Sequence, residues 1–150
     1  MRCFPRQRQT TGNMHREGER CRVLVIDDDA DIRDSTAMVI RMLGHEVAIA
    51  VDGPSGMIEG RAFQPDLVLL DLGLPGADGH DVARAMRAEP WGQRAMLAAV
   101  TGRAGEAHRR VAEAAGFDVH VAKPVDLGTL SEMISRAAAL QAMREAPASG

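Results

Sequence analysis

Short apolar runs alternate along the chain with longer segments in which apolar residues return at helical spacing. The apolar runs predict five strands, at Arg22–Ile26, Glu46–Ala50, Asp66–Leu70, Ala95–Val100 and Asp118–Val121. A short run with little polar alternation is typical of a strand that is covered on both faces. The pattern therefore predicts parallel strands joined by crossover helices.

The segments between the strands predict five helices. They are Ala30–Leu43, a helix that starts near Gly53, and then His80–Ala88, Ala104–Ala115 and Leu127–Met143. Gly44 and Gly116 stand where glycine commonly ends a helix, and Pro90 stops the third helix. Right-handed crossovers with helices on both faces favour a flavodoxin-like, doubly wound α/β fold, whose five-stranded parallel sheet has the strand order 2-1-3-4-5.

Charge divides the chain into a basic start and an acidic remainder. Residues 1–22 carry six Arg and two Glu, so the formal net charge of −3 leaves −7 for the other residues. We expect residues 1–21 to form a disordered basic leader, 22–142 a single domain and 143–150 a frayed tail. The domain is acidic and the whole chain has only 3% aromatic residues, which argues against binding to duplex or single-stranded nucleic acid.

The sequence also predicts where the protein resides. No apolar stretch approaches the roughly 20 residues of a membrane helix, and the leader lacks the apolar region of a secretory signal. Cys3 and Cys21 have no metal-ligand spacing and are interpreted as reduced, inert thiols. A cytoplasmic protein without membrane contact is expected.

Five polar residues follow the apolar runs directly. They are Asp27 and Asp28 after the first run, Asp71 after the third, Thr101 after the fourth and Lys123 after the fifth. Parallel strands all point the same way, so residues that follow them gather at one carboxyl-end edge of the sheet. The pattern predicts that three carboxylates, a hydroxyl and an ammonium meet there.

This group of side chains suits a divalent cation and a phosphoryl group. Carboxylates are hard oxygen ligands, and with no Cys or paired His beside them they favour Mg²⁺. A carboxylate can attack phosphorus and form an acyl phosphate, while Lys123 and Thr101 can bind the phosphoryl oxygens. Helix capping would explain one or two of these residues, but not three acids together with a lysine.

Four motifs resemble the receiver domains of two-component response regulators. They are VIDDD at 25–29, DLGLPGADG at 71–79, AVTG at 99–102 and AKPV at 122–125. The resemblance covers about residues 22–142. It implies that Asp71 accepts a phosphoryl group from a phosphohistidine donor, either a sensor histidine kinase or a histidine phosphotransfer protein. It also implies that Asp28, Asp71 and the backbone carbonyl of Gly73 hold Mg²⁺, with Asp27 acting through water.

The resemblance also implies a conformational switch. Thr101 and Lys123 would bind the phosphoryl oxygens, and Thr101 with His120 would form the switch. The family often has an aromatic residue at the position of His120, so the imidazole is a departure from its pattern. Asp29 matches no ligand position and is predicted to be an anion at a helix N-terminus.

The output would pass through the surface of the fourth helix, fifth strand and fifth helix. The resemblance implies an unnamed downstream protein as its target. Since the chain ends soon after the fifth helix, no DNA-binding module and no direct DNA binding are expected.

Two other functions compete with this one. A phosphatase of the haloacid dehalogenase type would use Asp27 as its nucleophile within VIDDD, but this leaves Asp71 and its Gly/Pro loop unexplained. A flavodoxin-like cofactor binder would need hydroxyls and glycines after the first strand, where this chain has acids. The three alternatives differ in whether phosphate stays on Asp71, passes through Asp27 or binds nowhere.

Overall fold

The computed structural model describes residues 20–74, 76, 78–102 and 106–145. In that part of the chain the strands are β1 Arg22–Ile26, β2 Glu46–Ala50, β3 Leu67–Asp71, β4 Met96–Thr101 and β5 Val119–Ala122. The helices are α1 Ala30–Met42, α2 Gly53–Phe63, α3 Gly79–Arg87, α4 Pro90–Arg94, α5 Glu106–Ala115 and α6 Leu127–Glu145. The strands form one parallel sheet in the order β2-β1-β3-β4-β5, which confirms the predicted fold class and strand order.

Helices cover both faces of the sheet, as the apolar strands require. Alternate residues of each strand point to opposite faces. Leu24 and Ile26 of β1 pack with residues of α3, α4 and α5 in one buried cluster. Val23 and Val25 pack with residues of α1 and α6 in the other. The strand residues between the layers are therefore apolar except His120 in β5, and the other polar strand residues lie at the strand ends.

The prediction of five helices was wrong, because α4 was missed. Pro90 was interpreted only as a stop for α3, but proline also suits the first turn of a helix, and here it opens α4. Trp91 anchors this short helix with 3% of its surface exposed. Its ring lies so close to α2 that a Cβ on Gly60 would stand 2.3 Å from it. The "fourth" and "fifth" helices of the sequence prediction are therefore α5 and α6.

Three predicted strands are displaced by one residue, so that two site residues lie inside strands rather than after them. Asp71 pairs with Val100, and Thr101 pairs with Ala122. Asp71 and Thr101 still pair with the neighbouring strand although their side chains are polar. A pattern of apolar residues cannot show that a strand extends to a polar residue. The predicted start of the fourth helix, at Ala104, lies outside the described residues.

Aspartates cap four of the helices that begin at the carboxyl-end edge of the sheet. The caps are Asp29 for α1, Asp52 for α2, Asp78 for α3 and Asp126 for α6. Asp29 accepts hydrogen bonds from the amides of Asp31 and Ile32, as expected for an anion at a helix start.

Three of these capping carboxyl groups have a lowered pKa. The hydroxyl of Ser55, followed by its amide, holds the pKa of Asp52 below the usual range. The amide of His80 lowers the pKa of Asp78, and the amide of Thr129 lowers that of Asp126.

The packed structure includes Cys21, which is completely buried beside α1 and α6. Its amide donates to Nδ1 of His45 at 3.0 Å. Residues 1–19 and 146–150 lie outside the described residues, so disorder of the leader and fraying of the tail remain predictions. In the part of the chain described, α6 continues to Glu145, and no helix is long and apolar enough to cross a membrane.

Candidate functional site

The carboxyl-end edge brings the three predicted acids together. Asp27 follows β1 and Asp71 ends β3, which are neighbouring strands paired at Ile26 and Leu70. Asp27 and Asp71 are 4% and 5% exposed, whereas Asp28 is exposed. One carboxylate oxygen from each of the three residues lies within 4.8 Å of the other two.

Lys123 lies between two of these acids. Its Nζ atom is 3.2 Å from Oδ2 of Asp71 and 3.4 Å from Oδ2 of Asp27. Its amide donates to the carbonyl of Thr101 at 2.8 Å, which fixes the end of β5 against the end of β4. The peptide bond between Lys123 and Pro124 is cis.

Short turns orient both buried carboxylates. Oδ1 of Asp27 accepts from the amide of Asp29, and Oδ1 of Asp71 accepts from the amide of Gly73, each at 2.9 Å. In both residues the other oxygen, Oδ2, faces Lys123. The backbone and the lysine therefore hold each carboxylate from two sides.

The electrostatics of the site show an excess of negative charge. Burial raises the pKa of Asp27; the charge of Asp71 acts in the same direction, while the amide of Asp29 and the charge of Lys123 oppose it. Burial acts to lower the pKa of Lys123, but its hydrogen bond to Asp71 and the charges of both acids outweigh burial, and the pKa is raised. Asp27 and Asp71 thus share one protonated ammonium, and Asp28 adds a third carboxylate to the group.

The donor set fits a hard divalent cation. Asp27, Asp28 and Asp71 offer only oxygen atoms, and the group contains neither His nor Cys. A further cation would relieve the repulsion from Asp71, which adds to burial in raising the pKa of Asp27. Gly73 lies beside this group, since a Cβ built on it would be 3.5 Å from Oδ1 of Asp71.

Thr101 and His120 share one face of the sheet. Thr101 is 9% exposed at the end of β4, and its partner in the ladder, Ala122, lies two residues after His120. Paired residues and their i+2 neighbours point the same way, so both side chains lie on the face that carries α5. His120 is half-buried.

Arg33 was missed by the sequence analysis. It lies on α1, and its Nη1 atom donates to the backbone carbonyl of Asp27 at 3.3 Å. The only signal in the sequence was a basic residue six positions after Asp27. Sequence position alone does not show which backbone group a long side chain contacts.

The family of response regulator receiver domains matches residues 23–135 of this chain. The chain therefore belongs to that family, which confirms the resemblance drawn from its motifs.

Individual relatives agree with this assignment. The DNA-binding response regulator MtrA of Mycolicibacterium paratuberculosis is 44% identical over 82 residues, which are 55% of this chain and 36% of that protein. A CheY-like receiver domain protein of Methanospirillum hungatei JF-1 is 29% identical, with a TM-score of 0.75 over 83% of this chain and 98% of that one. The receiver domain of sensor histidine kinase PA1611 of Pseudomonas aeruginosa PAO1 is 26% identical, with a TM-score of 0.72 over 80% of this chain and 98% of that one. That structure has a magnesium ion coordinated in its active-site cleft.

The match covers only part of the curated relatives. It extends over 36% of the length of MtrA and 49% of the length of another relative, the transcriptional regulatory protein PrrA of Mycobacterium bovis.

Proposed function

We propose that this receiver domain accepts a phosphoryl group on Asp71 from a phosphohistidine donor, with Mg²⁺ bound at the neighbouring acids. The observation that carries the proposal is the position of Asp71. It is a buried carboxylate, oriented by the Gly73 amide, in contact with Lys123 and grouped with two further acids.

The chain's own groups suit each part of the transfer. A carboxylate oxygen of Asp71 attacks phosphorus, the bond from phosphorus to the donor's imidazole nitrogen breaks, and the imidazole leaves with the bonding electron pair. The product is an acyl phosphate on Asp71. Lys123 and Thr101 bind phosphoryl oxygens, and Lys123 stays protonated for this role because the nearby acids raise its pKa.

Mg²⁺ is proposed to bind through Asp28, Asp71 and the backbone carbonyl of Gly73, with Asp27 as an indirect ligand. When bound, the cation supplies positive charge for the phosphoryl oxygens. The oxygen-only group of acids and the magnesium ion in the PA1611 receiver domain support this assignment.

Membership of the receiver family supports a proposal for the partners and the output. A sensor histidine kinase or a histidine phosphotransfer protein is proposed as the donor. The phosphoryl group would draw in the Thr101 hydroxyl and shift His120, which lies on the same face of the sheet, changing the surface formed by α5, β5 and α6. A downstream protein would bind that surface without direct contact between this domain and DNA. The cytoplasmic location remains a prediction.

The geometry by itself does not distinguish the phosphatase alternative from the proposed function. The phosphatase mechanism requires Asp27 to be the nucleophile, but the Asp29 amide and Lys123 engage both oxygens of Asp27. The same geometry holds Asp71, so contacts alone do not separate the two acids. Membership of the receiver family supports Asp71, at the end of β3, as the acceptor.

Chemical phosphorylation tests the acceptor. With acetyl phosphate and Mg²⁺, the wild-type protein should gain one phosphoryl group that hydroxylamine removes, as detected by intact-protein mass spectrometry. Asp71→Asn should abolish the gain, while Asp81→Asn, which changes an exposed acid on α3, should leave it unchanged. Labelling that persists in Asp71→Asn but disappears in Asp27→Asn would favour the phosphatase mechanism.

A further inference from the structure

Arg33 is an arginine with an unusual set of contacts. Its side chain is only 13% exposed. Nη1 donates to the carbonyl of Asp27 at 3.3 Å. Nε is buried without a hydrogen-bond partner and lies 3.4 Å from Oδ1 of Asp34, outside hydrogen-bonding geometry.

Burial of the Arg33 Nε atom without a hydrogen-bond acceptor lowers the stability of the fold. An apolar side chain at this position of α1 would avoid this penalty. The ion pair with Asp34 is largely exposed on the Asp34 side and contributes little, so the hydrogen bond to Asp27 is the main contact that distinguishes arginine from a hydrophobic residue at this position.

That hydrogen bond completes the restraint of Asp27. The amide of Asp27 donates to the carbonyl of Ala50 at 3.2 Å, and its carboxylate accepts from the amide of Asp29 at 2.9 Å. Arg33 holds the remaining backbone group, the carbonyl. A hydrogen bond from a charged donor is stronger than one from a neutral donor.

The restraint passes to Asp28 through the peptide bond. The carbonyl of Asp27 and the amide of Asp28 belong to one planar peptide unit. A hydrogen bond that fixes the orientation of the carbonyl therefore also fixes the orientation of the Asp28 amide. Asp28 is exposed, so the position of its carboxylate depends strongly on the backbone. Its grouping with Asp27 and Asp71 thus depends on the orientation of this plane.

We propose that Arg33 is a positioning residue for the cation site, acting through the Asp27–Asp28 peptide bond. The inference rests on the proposed function, in which Asp28 is a cation ligand. Arg33 does not contact the cation or the phosphoryl group in this role. It holds the backbone that presents the Asp28 carboxylate.

A positioning role for Arg33 and a purely electrostatic effect of its charge predict opposite changes in cation affinity when Arg33 is replaced. Removing a positive charge near three acids would, by charge alone, strengthen the binding of a divalent cation. Loss of a positioning contact has the opposite effect, and disrupting groups that hold metal ligands typically weakens metal affinity by about 10- to 100-fold.

The test compares Arg33→Met, Arg33→Lys and the control Arg84→Met. Arg84 is an exposed arginine on α3, paired with Asp81, so its removal changes the charge without affecting the Asp27 carbonyl. Titration of the unphosphorylated proteins with MgCl₂ in a calorimeter should give a dissociation constant about tenfold higher for Arg33→Met. Arg33→Lys should recover part of the affinity because lysine retains a charged donor. Arg84→Met should stay within about twofold of wild type.

A second measurement needs no metal. In ¹H–¹⁵N NMR spectra of the metal-free proteins, the Asp28 amide should shift far more in Arg33→Met than in Arg84→Met, while amides of β3 and β4 keep their positions. Those unchanged amides also show that the variant is folded.

The outcomes distinguish this inference from the proposed function. Wild-type binding of Mg²⁺ combined with equal or tighter binding by Arg33→Met would overturn the role of Arg33 alone. An unmoved Asp28 amide in Arg33→Met would do the same. A wild-type protein that binds no Mg²⁺ would overturn the cation site itself, and the role of Arg33 with it.

Discussion

Lys123 is the only lysine in the sequence; the other 17 basic side chains counted as Lys or Arg are arginines. An arginine presents a planar fork of donors, whereas a lysine presents a compact point charge. Here the ammonium is placed between one oxygen of Asp27 and one oxygen of Asp71. The compact cation can contact both carboxylates without the fixed planar geometry that a guanidinium would impose.

Lys123→Met should separate cation binding from phosphoryl transfer. Because the ammonium occupies the same acids that a divalent cation would use, its removal should lower the dissociation constant for Mg²⁺ by about three- to tenfold. Phosphorylation by acetyl phosphate should nevertheless slow by about a hundredfold, since a positive group at the phosphoryl oxygens is lost. Calorimetry and timed mass spectrometry measure the two effects. Weaker Mg²⁺ binding in this variant would show that the lysine supports the cation site rather than competing with it.

Arg87 connects several elements at the end of the sheet opposite the site. From the end of α3 it donates to the carbonyls of Gly92, Ala95 and Gly116, and it pairs with Asp118, all at 2.7–2.9 Å. Oδ2 of Asp118 also accepts from the amide of Leu97. One side chain thus links α3, α4, β4 and the turn from α5 to β5.

Arg87→Met should lower the free energy of unfolding by about 2 to 4 kcal/mol, because it leaves carbonyls and a carboxylate without their donor. Arg84→Met is a control on the same helix, and the loss of its exposed ion pair should change stability by less than about 1 kcal/mol. Urea denaturation followed by the fluorescence of Trp91 measures both variants. Equal stability of the two variants would show that the Arg87 contacts contribute little.

At the scale of elements, the sequence predicted the features that depend on hydrophobic periodicity and on the direction of the strands. Alternating strands and helices were sufficient for the sheet order, and parallel strands were sufficient to bring Asp27, Asp28 and Asp71 to one edge. The short helix α4 was missed because its five residues are too few to show a period. The contacts of Arg33 and Arg87 were missed because a long side chain can reach many backbone groups, and only the packed structure selects among them.

At the scale of the whole molecule, the four capping aspartates lie on the same edge as the site. Asp29, Asp52, Asp78 and Asp126 occupy that edge because α1, α2, α3 and α6 all begin there. Hydrogen bonds lower the pKa of three of them. Since these folded-state pKa values lie below those of the unfolded chain, the stabilisation by the caps is complete above the unfolded-state pKa and is lost as the pH falls through the folded-state values.

These caps also make the edge a source of long-range repulsion for anions. A small anionic phosphodonor must approach Asp71 past several fixed negative charges, so its encounter rate should be low in dilute salt and should rise as ions screen the field. The double variant Asp52→Asn with Asp126→Asn removes two of the charges, and asparagine caps helices about as well as aspartate.

At low ionic strength this variant should react with acetyl phosphate about two- to fivefold faster than wild type. The difference should vanish near 0.5 M salt, and the two proteins should have similar melting temperatures. A rate advantage that is independent of salt would point to a local change at the site. If the rate shows this dependence on salt, the capping aspartates have a second role besides starting helices. Their charge would disfavour small anionic phosphodonors relative to a protein donor that carries positive charge near its phosphoryl group.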